Sequence, residues 1–189
     1  DLRFARESQI AKGTSPGREH QARACAKRGP MDRATRLEGL LAGRIAVIDG
    51  AMGTMIQRYG LGEEDFRGER FQDHATDLAG NNDLLVLTRP DVVTEVHRSF
   101  LEAGADIIET NTFSAQTLSQ ADFGLEALCY ELNVEAARLA RRVAEEVEQA
   151  DLERPRFVAG AMGPTRATLS LSPDVNDPGY RSHTFQEIA

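Results

Sequence analysis

Three short apolar segments, at 45–48, 105–110 and 156–164, alternate with segments of helical periodicity. Short runs without polar alternation are typical of strands that are covered on both faces. The order strand, helix, strand, helix, strand predicts an α/β fold in which a parallel sheet is built through crossover helices. An open doubly wound sheet and a closed eight-stranded barrel both begin with this order, so the pattern alone leaves both open.

The two crossover helices have clear sequence signals. The first has Pro90 and Asp91 in its predicted first turn and Gly104 as its stop. Its apolar stripe comprises Val92, Val93, Val96, Phe100 and Leu101. The second is predicted to be long, with one apolar face made of Leu125, Leu128, Leu132, Ala136, Leu139, Val143 and Val147.

Shorter helices are predicted at 36–41 and 54–59, and another begins near 183. Between them, residues 60–87 are polar and rich in glycine, with the stretch GNNDLL inside. We expect a long connection there, and connections of that length are usually functional loops.

Charge divides the 189-residue chain in two. The net charge is −8, whereas residues 1–30 carry seven Lys and Arg against three Asp and Glu. We expect 1–30 to be a disordered basic leader or a non-native extension, with Met31 as the natural start. A basic arm that binds nucleic acid is the alternative, but the acidic remainder, 31–189, argues against a nucleic-acid groove.

The composition also bears on the compartment. No apolar run approaches the roughly 20 residues that span a bilayer, so no membrane partner is expected. Cys25 and Cys129 are far apart and fit no zinc or redox spacing. The sequence therefore favours a reduced, cytoplasmic setting.

Two acidic residues follow predicted strands directly. Asp49 ends the first apolar segment and is followed by Gly50, and Glu109 follows Ile108 in the second. In parallel α/β folds function is found at these carboxyl ends, where two carboxylates can hold a metal or a ligand's ammonium group. The glycines leave the backbone open to a ligand carboxylate. The plainer interpretation is that Asp49 caps the next turn and Glu109 is a solvated strand end.

Four stretches together resemble a known family: IDGAMGTMIQ, GNNDLLVLTRPDVV, EAGADIIETNTF and SPDVNDP. They are similar to the N-terminal homocysteine-binding domain of cobalamin-dependent methionine synthase, within the homocysteine S-methyltransferase family, and the resemblance covers about 45–189. It implies a parallel (β/α)8 barrel of the TIM type, of which 31–189 would be the front part, with about three strands. It also implies methyl transfer from methylcobalamin to homocysteine, giving methionine.

The resemblance implies specific roles for the motif residues. Asp49 would bind the substrate ammonium and Gly50 its carboxylate through the backbone. The end of the second strand would line the same mouth with Glu109, Thr110, Asn111 and Thr112. The SPDVNDP loop would lie over the site, with Ser172, Asp174, Asn176 and Asp177.

In the family, zinc held by three cysteines binds the substrate thiol, and folate and cobalamin domains of the same chain supply the methyl group. We expect those cysteines beyond Ala189, so this fragment is predicted to contain no metal ligands or catalytic residues of its own and to be inactive alone. Cys129 is predicted to be a core residue. Two alternatives stay open: a betaine- or S-methylmethionine-dependent homocysteine methyltransferase, and a non-catalytic amino-acid-binding module.

Overall fold

The computed structural model describes residues 32–165, 167 and 169–188. The predicted leader at 1–30 lies outside these residues. The chain divides into two compact units, 1–42 and 43–189. Helix α1 (Arg33–Gly43) is longer than the predicted 36–41; it makes up most of the described part of the first unit, and its last residue, Gly43, belongs to the second.

The centre of the second unit is a small parallel sheet. Strands β1 (Ile107–Glu109) and β2 (Phe157–Ala159) pair in parallel, with Ile108 opposite Val158. The predicted α/β class with parallel strands is confirmed. Each strand is shorter than the apolar segment that contains it, because regular pairing extends over only three residues.

The first apolar segment, 45–48, lies on the other side of β1. A parallel bridge joins Ile48 to Ile107, and the Asp49 N–H donates to the Ile107 carbonyl at 3.0 Å. The order across the sheet is therefore 45–48, β1, β2, all parallel.

The prediction that 45–48 is a buried strand is wrong. Ile45 is 89% exposed and Val47 is 51% exposed. The segment pairs with β1 along one edge, and within the described residues it forms a bridge instead of a regular strand. A strand acquires two buried faces only when both sides are covered.

Two helices make the crossovers. Helix α5 (Pro90–Ala103) begins with proline and ends at Gly104, whose φ of 114° is the left-handed cap conformation that glycine adopts without strain. Helix α7 (Cys129–Ala150) packs against it and against the sheet. The predicted stripes form much of the core, although Leu125 and Leu128 precede α7 and do not belong to it.

The stretch predicted as a long connection contains more structure than expected. Helix α2 (Met52–Gln57) is followed by α3 (Glu63–Arg67), a 3-10 turn (Asn82–Leu84) and α4 (Leu85–Thr88). Within 60–87, residues 60–62 are irregular, and the longer irregular part is 68–81.

Arg67 holds that irregular part in place. Its guanidinium donates to the carbonyls of Phe71, Gln72, His74 and Thr76. The Glu63 carboxylate accepts from the N–H groups of Leu78 and Ala79. Side chains from α3 thus replace the backbone pairing that a helix or sheet would supply.

The remaining elements are short. After β1 come α6 (Thr117–Gln120) and two 3-10 turns, Ala121–Phe123 and Glu126–Leu128. The last is α8 (Phe185–Ile188), which agrees with the helix predicted near 183. None of the helices in the described ranges is long and apolar enough to cross a membrane.

Candidate functional site

A cavity of about 780 Å³ opens at the carboxyl ends of the three parallel segments. Its wall comes from four stretches of chain: 49–53 after the first segment, 80–83 before α4, the end of β1 with the loop that follows it, and the loop after β2. The last two contribute Glu109, Thr110, Asn111, Phe113 and Ser114, and Ala161, Pro164 and Thr165, and Ser119, Asp122 and Phe123 complete the lining. The cavity lies at the strand ends, and the sequence analysis predicted a site at that edge of the sheet.

Asp49 points across to β1. Its Oδ1 accepts a hydrogen bond from the Glu109 N–H at 2.9 Å. Helix α2 has Ala51 as its N-cap and no side-chain capping bond, so Asp49 does not cap that helix. Burial raises the pKa of Asp49 to about 6, opposed by the Glu109 N–H and assisted by the Glu109 charge. A partly buried carboxylate with that environment is well placed to accept a cationic group.

The unusual backbone in this turn belongs to Ala51. Its φ of 50° makes it the non-glycine residue with positive φ among the described residues. An added Cβ at Gly50 would meet no atom within 4 Å, so this glycine leaves open space beside the cavity. At Gly53 the nearest atom would be Asn82 Nδ2, at an ordinary 3.6 Å. A non-glycine residue in the left-handed region costs about 1–2 kcal/mol, and such strain is often found at functional sites.

The residues after β1 have different environments. Glu109, Thr110 and Asn111 line the cavity, whereas Thr112 is buried behind it. The hydroxyls of Thr110 and Thr112 are 2.7 Å apart and bond to the N–H and carbonyl of Ala161. The threonines therefore fasten the loop after β1 to the loop after β2, and Glu109 and Asn111 remain to face a ligand.

The 80–83 stretch supplies residues that the sequence reasoning did not name. Asn111 Nδ2 donates to the Asn82 carbonyl at 2.7 Å. Asn81 and Gln120 form a buried amide pair, with Asn81 Nδ2 donating to Gln120 Oε1 at 2.8 Å. The stretch is thereby fixed against the segment after β1. Its sequence signal was the polar GNND in a glycine-rich connection.

Asp83 is the most buried acidic side chain of the cavity wall. The residue is 4% exposed, and its Oδ2 accepts from the Ser114 N–H at 2.8 Å. Burial raises its pKa to about 6, and the N–H groups of Ser114 and Phe113 oppose that rise.

The residues of the SPDVNDP loop lie elsewhere. Ser172, Asp174, Asn176 and Asp177 are not among the lining residues, and they form a turn of their own in which Ser172 Oγ donates to the Asp177 carbonyl at 2.6 Å. The structure therefore does not bring them into the cavity, and their role over the site stays a prediction.

The charge of the wall has one sign. Asp49, Asp83, Glu109 and Asp122 line the cavity, and the described lining residues include no Lys, Arg or His. Such a wall favours a cationic ligand group. The exposed backbone around Gly50 provides a polar surface beside it.

The described residues do not form a zinc site. They contain no group of three or more His, Cys, Asp or Glu side chains that could hold a metal ion. Cys129 is half-buried at the first residue of α7, and burial raises the pKa of its thiol, which disfavours the thiolate that zinc prefers. The prediction that it is a packed core cysteine is wrong, because Cys129 is only half-buried and does not belong to the buried hydrophobic cluster.

His74 and His97 do not line the cavity. His74 Nε2 lies 2.7 Å from the Phe123 carbonyl, and His97 is buried on α5.

Comparison with known proteins agrees with this geometry. The family model for homocysteine S-methyltransferase matches residues 46–189, and the chain belongs to that family. The solved structures it resembles include the homocysteine methyltransferase MmuM from Escherichia coli. The metallated form is 25% identical with a TM-score of 0.53, and the oxidized form is 26% identical with a TM-score of 0.54.

The match is partial on both sides. It covers 68% of this chain, and 41% of the metallated and 40% of the oxidized MmuM chain. The chain thus spans about two fifths of the length of the MmuM chains.

Proposed function

We propose that this chain carries the front part of a homocysteine-binding site in a homocysteine S-methyltransferase with a (β/α)8 barrel. The observation that supports it best is the position of Asp49, which is partly buried at the strand ends, bonded to the Glu109 N–H, and part of a wall with four carboxylates. MmuM, which the chain resembles in structure, is a homocysteine methyltransferase, and this similarity supports the same substrate class.

The ligand would be held at its amino-acid end. Asp49 would pair with the ammonium group, and the open backbone at Gly50 would receive the carboxylate, because a Cβ there would meet nothing within 4 Å. Glu109 and Asn111, which line the same cavity, would bound the substrate on the β1 side.

The finer assignment concerns the methyl donor. We propose methylcobalamin, recharged through methyltetrahydrofolate by other domains of the same protein, on the strength of ETNTF and SPDVNDP. Zinc would activate the substrate thiol, but the described residues do not fit a zinc site, and we expect its cysteines beyond Ala189. A cytoplasmic location is part of the same proposal. Betaine or S-methylmethionine as donor remains the alternative within the family.

The test is homocysteine binding by the protein expressed from its full reading frame. Asp49→Asn keeps the shape of the side chain and removes its charge. Loss of one partner of a partly desolvated charge pair costs roughly 2–5 kcal/mol, so the dissociation constant for homocysteine should rise about thirtyfold or more at pH 7.5. Calorimetric titration measures it, and Asp73→Asn, an exposed aspartate outside the cavity, is the matched control.

Each alternative has its own outcome. Normal homocysteine binding by Asp49→Asn would refute the ammonium role. Homocysteine binding without methyl transfer from any of the three donors would favour the non-catalytic amino-acid-binding module. Turnover with S-methylmethionine or betaine, and none with methylcobalamin, would reassign the donor.

A further inference from the structure

We propose that Asp83 is a positioning residue of this site: its carboxylate fixes the backbone at 113–114 and, through it, the distance between the loops after β1 and β2. This inference rests on the proposed homocysteine site. It concerns a residue that need not touch the substrate's reacting atoms.

The contacts of Asp83 are with backbone donors. Its Oδ2 accepts from the Ser114 N–H at 2.8 Å, and the Phe113 N–H also bonds to the carboxylate. Two consecutive N–H groups that converge on one carboxylate fix the local direction of the chain, because both donors must face the same point. The side chain thus joins the turn before α4 to the loop after β1.

The next contact passes from Phe113 to the loop after β2. The Gly163 N–H donates to the Phe113 carbonyl at 3.0 Å. The approach is so close that a Cβ on Gly163 would lie 2.3 Å from that carbonyl oxygen and 2.8 Å from the ring atom Cδ1 of Phe113. At this point the loop after β1 and the loop after β2 are in direct contact, without room for a side chain on Gly163.

Asp83 therefore stands at one end of a continuous series of contacts across the cavity rim. The series runs from the 80–83 turn through 113–114 to Gly163. The 80–83 turn, Phe113 and Ser114 line the cavity, and Gly163 lies in the chain between two lining residues, Ala161 and Pro164. If Asp83 no longer binds the 113–114 backbone, the loop after β1 is no longer held against the 80–83 turn, and the loop after β2, which bonds to Phe113, is held less firmly. The shape of the cavity then varies, and ligand binding becomes weaker because the loops must be ordered when the ligand binds.

The carboxylate is better suited to this task than its amide isostere. A carboxylate has two acceptor oxygens, whereas an amide has one oxygen and a nitrogen that donates. In Asp83→Asn a single uncharged oxygen is left to accept from both backbone N–H groups, and the other carboxylate oxygen is replaced by an NH₂ group that cannot accept. Burial raises the pKa of Asp83 to about 6, so burial disfavours its charged form, and the backbone N–H groups of Ser114 and Phe113 favour that form.

The experiment compares Asp83→Asn with the wild-type protein and with the Asp73→Asn control, each expressed from the full reading frame. Amide hydrogen exchange at Phe113 and Ser114 should accelerate about tenfold or more in Asp83→Asn alone, as expected for loss of a bond to a charged acceptor. The KM for homocysteine should rise about tenfold, with kcat within about threefold of wild type.

The KM-against-kcat split separates positioning from bulk stability. A variant that is merely less stable loses active protein and therefore lowers apparent kcat with KM unchanged. Gly163→Ala is a second variant, because it displaces Phe113 from the opposite side and leaves Asp83 intact. It should also raise KM, and the double variant should cost less than the product of the two single effects.

Two results would overturn the inference: unchanged exchange at 113–114 in Asp83→Asn, or accelerated exchange with an unchanged KM. Failure of the proposed function is distinguishable, since wild type and every variant would then fail to bind homocysteine. In that event accelerated exchange at 113–114 would still support the anchoring by Asp83, and unchanged exchange would still refute it.

Discussion

The buried histidine of α5 makes a quantitative prediction about stability and pH. His97 is 0% exposed, and neither ring nitrogen has a hydrogen-bond partner among the described residues. Burial lowers the pKa of His97 from the ordinary 6.5 to about 4. The folded protein therefore holds the neutral ring over a pH range in which the unfolded chain takes up a proton.

The sign and size of the pH effect on stability follow from the difference between the pKa values of His97 in the folded and unfolded states. Above pH 6.5 both states are neutral at this position and the histidine has no proton-linked effect. As the pH falls toward 4, the unfolded state is favoured by protonation. With pKa values of 6.5 in the unfolded chain and about 4 in the folded protein, protonation of His97 lowers the free energy of unfolding by about 1.4 kcal/mol at pH 5.5 and about 2.5 kcal/mol at pH 4.5.

The substitution His97→Leu removes the titrating ring and leaves an apolar side chain of similar volume. At pH 7.5 its free energy of unfolding should be within about 1.5 kcal/mol of wild type. At pH 4.5 the difference between variant and wild type should have shifted by about 2.5 kcal/mol in favour of the variant. Urea unfolding at pH 7.5, 6.5, 5.5 and 4.5 measures the difference.

The difference between the two proteins isolates His97 from the other groups that titrate in this range. Asp49 and Asp83, with pKa values raised to about 6, act in the opposite direction but equally in both proteins. Leu101→Met, a conservative change at another buried position of α5, should give an offset that is constant with pH. A constant offset for His97→Leu as well would refute the reasoning.

Three further changes test the framework of the site. Ala51→Gly should raise the free energy of unfolding by up to about 1 kcal/mol, because glycine adopts φ of 50° without strain, and a lower urea midpoint would contradict this. Asp106→Asn should lower it by about 1–3 kcal/mol, because the fully buried side chain of Asp106 loses its charge-assisted bonds to Arg44, and a change under 1 kcal/mol would show that the pair is unimportant. Gly163→Ala should cost about 1–3 kcal/mol through the clash with Phe113, measured by thermal unfolding, whereas an unchanged midpoint would mean that the loop moves freely.

The crossover helices could be predicted because their signals are local. Pro90 and Gly104 mark the two ends of α5, and the apolar stripe between them repeats with the period of a helix. The lengths of the strands could not be predicted in the same way. Pairing depends on what lies beside each strand, and the segment 45–48 is apolar enough for a buried strand but has β1 along only one described edge.

Part of the candidate site could also be predicted from the sequence, and part could not. Asp49 and Glu109 were expected to be near neighbours, since the carboxyl ends of parallel strands meet at one rim, and the hydrogen bond between Asp49 and the Glu109 N–H agrees with that. Asp83 was missed because its partners are 30 and 31 positions away in the sequence, at 113 and 114. No local pattern connects GNND to the loop after β1.

Buried and partly buried aspartates at the two ends of the sheet have pKa values shifted in opposite directions. Asp106, before β1, is fully buried and accepts two bonds of 2.6 Å from Arg44 and one of 3.0 Å from the Val47 N–H. The Arg44 guanidinium holds the pKa of Asp106 well below its usual range.

At the other end, Asp49 and Asp83 accept bonds from backbone N–H groups, and burial raises the pKa of each. A carboxylate satisfied by arginine stabilises the fold and has little left to offer a ligand. A carboxylate whose burial is only partly compensated gains most when a cation arrives, because the arriving charge lowers its pKa and restores the interactions lost with water. The difference between Asp106 and Asp49 is therefore the physical reason for looking for the ligand at the carboxyl ends of the strands and for expecting an ammonium group there.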